Sequence, residues 1–190
     1  MNFNLKDAGE KSSISYQRTG IFENVQVTSV LLEKSSQKQV PYIKLVTKGP
    51  DGEVGQSNKM FLSTTVGEGK KTSAWAITAR NLVDLIVATH NCSEDEAKAM
   101  IAVESETQLV NKVSALLIGK PFRAKFKGEE GNKGNGVVFA SLAQVESMKV
   151  PASETALRYS DMKDIKRYEG PTISTGPVTT NTLPEADLPF

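Results

Sequence analysis

The hydrophobic period of this chain changes twice, and any fold it adopts has to accommodate both changes. From Gly20 to Leu32 (GIFENVQVTSVLL), Ile21, Val25 and Val27 share one parity while polar Asn24, Gln26 and Thr28 share the other. Alternation of two over β-branched residues predicts a half-buried strand, here a long one bent near Ser29. A polar loop, Glu33 to Gln39, leads to Tyr42–Lys48, where Ile43 and Leu45 alternate with Tyr42, Lys44, Val46 and Lys48. This second strand has a basic outer face. Gly49-Pro50-Asp51-Gly52 is turn chemistry, since Pro presets φ and Gly accepts positive φ, and a third strand follows toward Lys59-Met60-Phe61-Leu62.

Between Ala74 and Ile118 the period becomes helical. Trp75, Ile77, Ala79, Leu82, Leu85, Ile86 and Ala88 recur near 3.6, with Ser73 placed to cap the first turn. Ser93 with Glu96 and Ser105 with Gln108 read as capping boxes, so two or three helices are expected before Gly119 stops the last. Strand chemistry then returns. Phe122, Ala124 and Phe126 alternate with Arg123, Lys125 and Lys127, giving one apolar and one basic face. A glycine-rich loop, Gly128 to Gly136, turns the chain into a partner strand at Val137 to Ala143. Three strands, a helical insertion between the third and fourth, and a closing hairpin predict a mainly β, α+β chain built on a five-stranded Greek-key barrel, the OB-fold.

Past Val150 the pattern decays. Ser153 to Tyr168 has Leu157, Met162, Ile165 and Tyr168 for one side of an amphipathic helix, and from Gly170 the composition of Pro, Thr, Gly and Ser predicts a disordered linker. The expected division is a folded domain over 1–150 and a flexible linker with an acidic tip over 151–190. The formal net charge of +1 hides the same division. Arg167 is the last basic residue, so 1–168 carry 23 basic and 19 acidic side chains and the tail is acidic, an asymmetry that hints at nucleic-acid binding with an interaction tail.

The ending Pro184-Glu185-Ala186-Asp187-Leu188-Pro189-Phe190, read with the strand and helix order, resembles the bacterial and phage single-stranded DNA-binding proteins. That family joins an OB-fold to a flexible linker and an acidic tip closed by an apolar residue, Pro and Phe. The barrel part of the resemblance covers roughly Ser15 to Val145 and is one of pattern; the compact size and the short tip are nearer the phage members. It implies sequence-independent binding of single-stranded DNA in replication, recombination or repair. It also implies that Glu185, Asp187, Leu188, Pro189 and Phe190, with the terminal carboxylate, recruit partner proteins. Oligomeric state is left open.

Single strands bind where Lys and Arg meet phosphates and unstacked bases lie on aromatic rings. The candidate groove is Tyr42, Lys44 and Lys48 on the second strand, Arg123, Lys125 and Lys127 on the fourth, and Lys133 at the hairpin tip. Lys34 and Lys38 in the first loop, and Lys59, Phe61, Lys70 and Lys71 around the second hairpin, complete it. Tyr42 is the expected stacking ring; Phe122 and Phe126 are expected in the core, Trp75 between helices and barrel, and parity leaves Phe22 and Phe61 open.

Nothing points to catalysis. Gly67-Glu68-Gly69-Lys70-Lys71-Thr72 departs from a phosphate loop at two required positions, Glu94-Asp95-Glu96 suits the start of a helix, and His90 reads as a helix-end residue. With one cysteine, Cys92, and one histidine, a thiolate zinc site is not expected, nor any cofactor. The first residues lack the basic and apolar blocks of a secretory signal, and no run is long enough to span a bilayer, which favours a soluble cytoplasmic protein, of a bacterium or a phage-infected cell. The alternatives are an OB-like protein-interaction module and a binder of single-stranded RNA.

Overall fold

The computed structural model describes residues 15–131 and 138–167. They form a mostly antiparallel seven-stranded sheet with three helices against it and a short C-terminal strap. The strands are β1 (Gly20–Lys34), β2 (Pro41–Lys48), β3 (Val54–Gln56), β4 (Met60–Phe61), β5 (Pro121–Glu130), β6 (Val138–Glu146) and β7 (Ile165–Lys166). The helices are α1 (Ala74–His90), α2 (Glu94–Ile101), α3 (Glu106–Leu117) and the single turn α4 (Asp161–Asp164). The sheet runs β3-β2-β1-β5-β6, with β4 beside β2 and β7 parallel to β5.

The length of β1 organises the rest. Its first part pairs with β5 and its second with β2, and each ladder carries a register shift, between Phe22 and Val25 in one and Val27 and Ser29 in the other. The first is a bulge in which Asn24 takes φ 56°, a left-handed conformation that Asn tolerates well among non-glycine residues. One inserted residue reverses parity. Phe22 therefore turns inward, edge-on to Phe126 at 6.0 Å between centroids, and Ile21 lies opposite Lys125 on the outer face. The expected grouping of Ile21 with Val25 and Val27 is corrected by this bulge.

The third strand is split. Ser57 is buried between β3 and β4, its Oγ accepting from the Leu45 amide at 3.0 Å and donating to the Asn58 carbonyl at 2.9 Å. The core joins Val25, Val27, Ile43, Leu45, Phe122, Ala124 and Phe126 of the sheet to Leu82, Leu85 and Ile86 of α1 and Val113 and Leu117 of α3. Fully burying side chains of this size contributes ~1.5–3 kcal/mol each relative to exposure.

All three long helices begin where sequence placed them. Ser73, Ser93 and Ser105 accept from the amides of Ala76, Glu96 and Gln108, and at Ser93 the Glu96 side chain reciprocates, completing a capping box. His90 ends α1, its Nε2 2.8 Å from the Leu116 carbonyl, and Gly119 with φ 74° follows α3 and donates to the Val27 carbonyl.

Two expectations are corrected at the C-terminal side. Residues 153–167 do not form one amphipathic helix. A 3₁₀ turn (Ala152–Glu154), an extended run, α4 and β7 occupy 152–166, and Met162 is 96% exposed. Nor does the folded body stop at 150, since Leu157 and Asp164 are buried and β7 pairs with Gly128 and Glu129 of β5. Tertiary contacts from β5 override a weak helical pattern. Of the five-stranded barrel, the described residues form the open sheet: β3 and β6, at its two ends, meet in one parallel bridge, Ser57 to Leu142, with no ladder between them. Among the described residues, no helix is long and apolar enough to cross a membrane.

Candidate nucleic-acid interface

Ile43, Leu45 and Thr47 are fully buried, so β2 turns Tyr42, Lys44, Val46 and Lys48 to the other side of the sheet, as the parity predicts. Register extends that face across neighbouring strands. Tyr42 lies between Glu33 of β1 and Phe61 of β4, Lys44 opposite Leu31, and Lys48 opposite Gln26.

Tyr42, the expected stacking ring, is only 5% exposed. Its hydroxyl donates to Glu33 Oε2 at 2.5 Å, the Phe61 ring meets it at 61° with centroids 5.5 Å apart, and the Lys59 ammonium sits 5.0 Å from its centroid. The hydrogen bond to the Glu33 carboxylate raises the phenol pKa above its ordinary value. Tyr42 is thus a support already in contact on several sides. Phe61, half-buried on the same face, is the ring that remains accessible. Beside it opens a cavity of about 310 Å³ lined by Phe61, Val40, Ala74, Ser63, Gln37 and Lys38, with Ser35 and Ser36. The faces are apolar and the rim carries hydroxyl, amide and ammonium groups, a mixture that suits a planar heterocycle with hydrogen-bonding edges.

Seven lysines lie on β1, β2 and the loops that follow β1, β3 and β4, and of these Lys59 sits over the Tyr42 ring. Lys34, Lys38, Lys48 and Lys59 are exposed, Lys44 is half-buried, and Lys70 and Lys71 are exposed on the loop leaving β4. Among the described residues none of the seven is in an ion pair.

The basic row of β5 behaves differently. Arg123 is 3% exposed, its Nη2 2.7 Å from Glu23 Oε1 and its Nη1 2.5 Å from Glu146 Oε2, with a further bond from Nη1 to the Val150 carbonyl. Lys125, also buried, lies 2.8 Å from Asp164 Oδ1, and half-exposed Lys127 lies 3.3 Å from the same oxygen. Bonds from Lys125, the Ser160 amide and Lys127 outweigh burial and hold the Asp164 carboxyl down at about 2. Three cations meet three carboxylates, and Arg123, Lys125 and Asp164 are buried. Arg123 and Lys125 therefore do not present the open basic face that alternation implies.

No protein-family model matches this chain, and no curated protein matches it.

Lys133 and the tip residues Glu185, Asp187, Leu188, Pro189 and Phe190 lie outside the described residues. Glu23, Glu146 and Asp164, which neutralise β5, carry no local signal in the sequence; neither does the pairing of Gln37 and Lys38 with Phe61 around one cavity. Trp75 packs against the core and Glu96 serves its helix cap. Among the described residues there is no cluster of three His, Cys, Asp or Glu side chains arranged to hold a metal.

Proposed function

We propose that this protein binds single-stranded DNA, without catalysis and with little sequence preference, on the outer face of β1, β2 and β4. The observation that carries the reading is the contrast between two basic surfaces. Lys44 and Lys48 on the outer face of β2, Lys59 over the Tyr42 ring, and Lys34, Lys38, Lys70 and Lys71 at the end of β1 and on the adjoining loops have no carboxylate partner among the described residues, whereas the β5 row is neutralised from within. Unpaired cations along a face release counterions when phosphates replace them, and an aromatic ring offers a base a stacking surface without reading its identity.

The same reading takes the sheet as an OB-type barrel. Its support is the long β1 shared between β2 and β5, the helical insertion between β4 and β5 with β3 and β4 taken as one split strand, and the bridge between the sheet's two ends. On the resemblance of its ending, Glu185, Asp187, Leu188, Pro189 and Phe190 recruit partner proteins of DNA replication, recombination or repair, so Phe190→Ala is expected to lose those partners while sparing DNA binding. Fluorescence anisotropy of labelled oligo-dT tests the core of the proposal. Tight binding that weakens steeply with salt and resists duplex competitor supports it; equal competition by duplex, or indifference to oligonucleotides, removes it. Single-stranded RNA of equal length in the same assay decides between the two nucleic acids.

A further inference from the structure

A cavity of about 630 Å³ lies where the sheet fails to close. β6 is the last strand of the sheet, and its contact with β3 ends at Leu142. From Ala143 to Glu146, among the described residues, no backbone hydrogen bond leaves β6 on the side away from β5. Unpaired strand edges are ordinarily blunted by charge, proline or cover, because they template the addition of another strand. Here the edge borders the cleft instead. Its far wall is α1, with Asn81 and Asp84, and its floor is apolar, with Met60 and Val145 among the contributors. The cleft lies on the opposite side of β2 from Lys44, since Leu45 lines it and alternate residues of a strand face opposite ways.

Charge selects the class of occupant. Asp84 and Glu146 are the charged residues lining the cleft, and no Lys or Arg joins them. Glu146 is committed to Arg123 and to the Ala156 amide. Asp84 has no ion pair among the described residues, and loss of hydration outweighs the field of Arg80 and raises its carboxyl pKa. A phosphodiester is repelled here, whereas an extended segment carrying a small apolar side chain next to a cation gains on all three counts.

We propose that this seam cleft docks an extended basic peptide segment of a partner protein, which adds to the free edge of β6 and sets a Lys or Arg against Asp84. Strand addition supplies backbone bonds, alternate side chains supply specificity, and the Asn58, Asn81 and Gln144 amides stand at the wall to take the peptide's remaining polar groups. The free stretch matches an occupant of four residues, about 13 Å at ~3.3 Å per residue.

The test is a titration of the ¹⁵N-labelled full chain with acetyl-Lys-Val-Lys-Val-Lys-amide and, separately, with its Glu-for-Lys counterpart. The basic peptide is expected to shift the amides of Asn81 to Leu85 and Ala143 to Ser147 with a dissociation constant of about 0.1–1 mM, and the acidic one to leave them in place. Saturating oligo-dT leaves the peptide shifts unchanged, which separates this site from the proposed DNA face whether or not DNA binds. Asp84→Lys, at an exposed helical position, weakens the basic peptide at least about tenfold and admits the acidic one. Ala143→Trp, also at an exposed position, fills the cleft and abolishes both responses. No shifts at several millimolar peptide, shifts centred on Lys44 and Phe61, displacement of the peptide by oligo-dT, or an Asp84→Lys protein with unchanged preference each overturns the proposal.

Discussion

Arg123 is where the alternation of the sequence and the packing of the chain make opposite forecasts, and Arg123→Met separates them. The guanidinium makes bonds to Glu23, Glu146 and the Val150 carbonyl from a position 3% exposed. Met retains the apolar stem and removes the charge. Removing one partner of a buried ion pair costs ~3–5 kcal/mol, because the other partner is left charged and desolvated. The side chain of Glu23 is 48% exposed and rehydrates, while that of Glu146 is 12% exposed and does not. The lower end of the range, about 3 kcal/mol, applies, and against a denaturant slope of about 2 kcal/mol/M it moves a urea midpoint down by about 1.5 M. Burial pushes the Glu146 carboxyl up, but bonds from Thr155, the Ala156 amide and Arg123 bring it below its ordinary value. A depressed carboxyl stabilises the fold above the unfolded pKa and loses that contribution as pH falls through the folded one. Without Arg123 that depression is lost, so the stability difference between the two proteins is expected to be widest above the ordinary carboxylate range and to narrow as pH falls. Urea denaturation and oligo-dT anisotropy, each on both proteins, decide the matter. The expected outcome is a lower midpoint with unchanged DNA affinity for the folded protein. An unchanged midpoint with a weakened complex would instead place Arg123 on the binding surface.

Phe61→Ala is expected to weaken oligo-dT binding by ~1–3 kcal/mol while leaving the far-ultraviolet dichroism intact, and Lys44→Gln to reduce the slope of log affinity against log salt by about 0.7. Asp164→Asn leaves Lys125 buried without a counter-charge, and amide exchange and proteolysis of 155–167 are expected to accelerate; equal protection in both proteins would show that the ion pairs do not hold the strap. Because the Asp164 carboxyl sits at about 2 instead of 3.8, its stabilisation is complete above the ordinary value and is lost as pH falls from there toward 2. The variant is therefore expected to lose part of the acid transition in that window, followed by circular dichroism. Ser93→Ala removes the cap and its reciprocal bond from α2 and is expected to cost about 1 kcal/mol by thermal denaturation, with DNA affinity unchanged.

What was legible in the sequence was local. Serines three residues ahead of their amide donors marked the starts of α1, α2 and α3, and the parity of Tyr42 to Lys48 separated the inner from the outer face of β2. What was not legible depended on residues far apart in the chain. The face of β1 reverses at Asn24 because one inserted residue shifts the ladder, and nothing in the alternation announces a bulge. The basic row of β5 reads the same whether it meets water or carboxylates. Only the fold brings Glu23, Glu146 and Asp164 to it, and Tyr42 was hidden in the same way by Glu33, Lys59 and Phe61. Local pattern tells which side chains share a face; tertiary pairing decides whether that face is open.

The DNA face proposed is Phe61 with the unpaired lysines of β1, β2 and the adjoining loops. Photocrosslinking of the full chain to oligo-dT carrying 5-iododeoxyuridine, with adducts mapped by mass spectrometry, tests it most directly. Adducts are expected on Phe61 and on residues 35–44, suppressed by unlabelled oligo-dT but not by duplex DNA, with none on residues 121–130. Adducts concentrated on 121–130, or a pattern that duplex suppresses equally well, would contradict it.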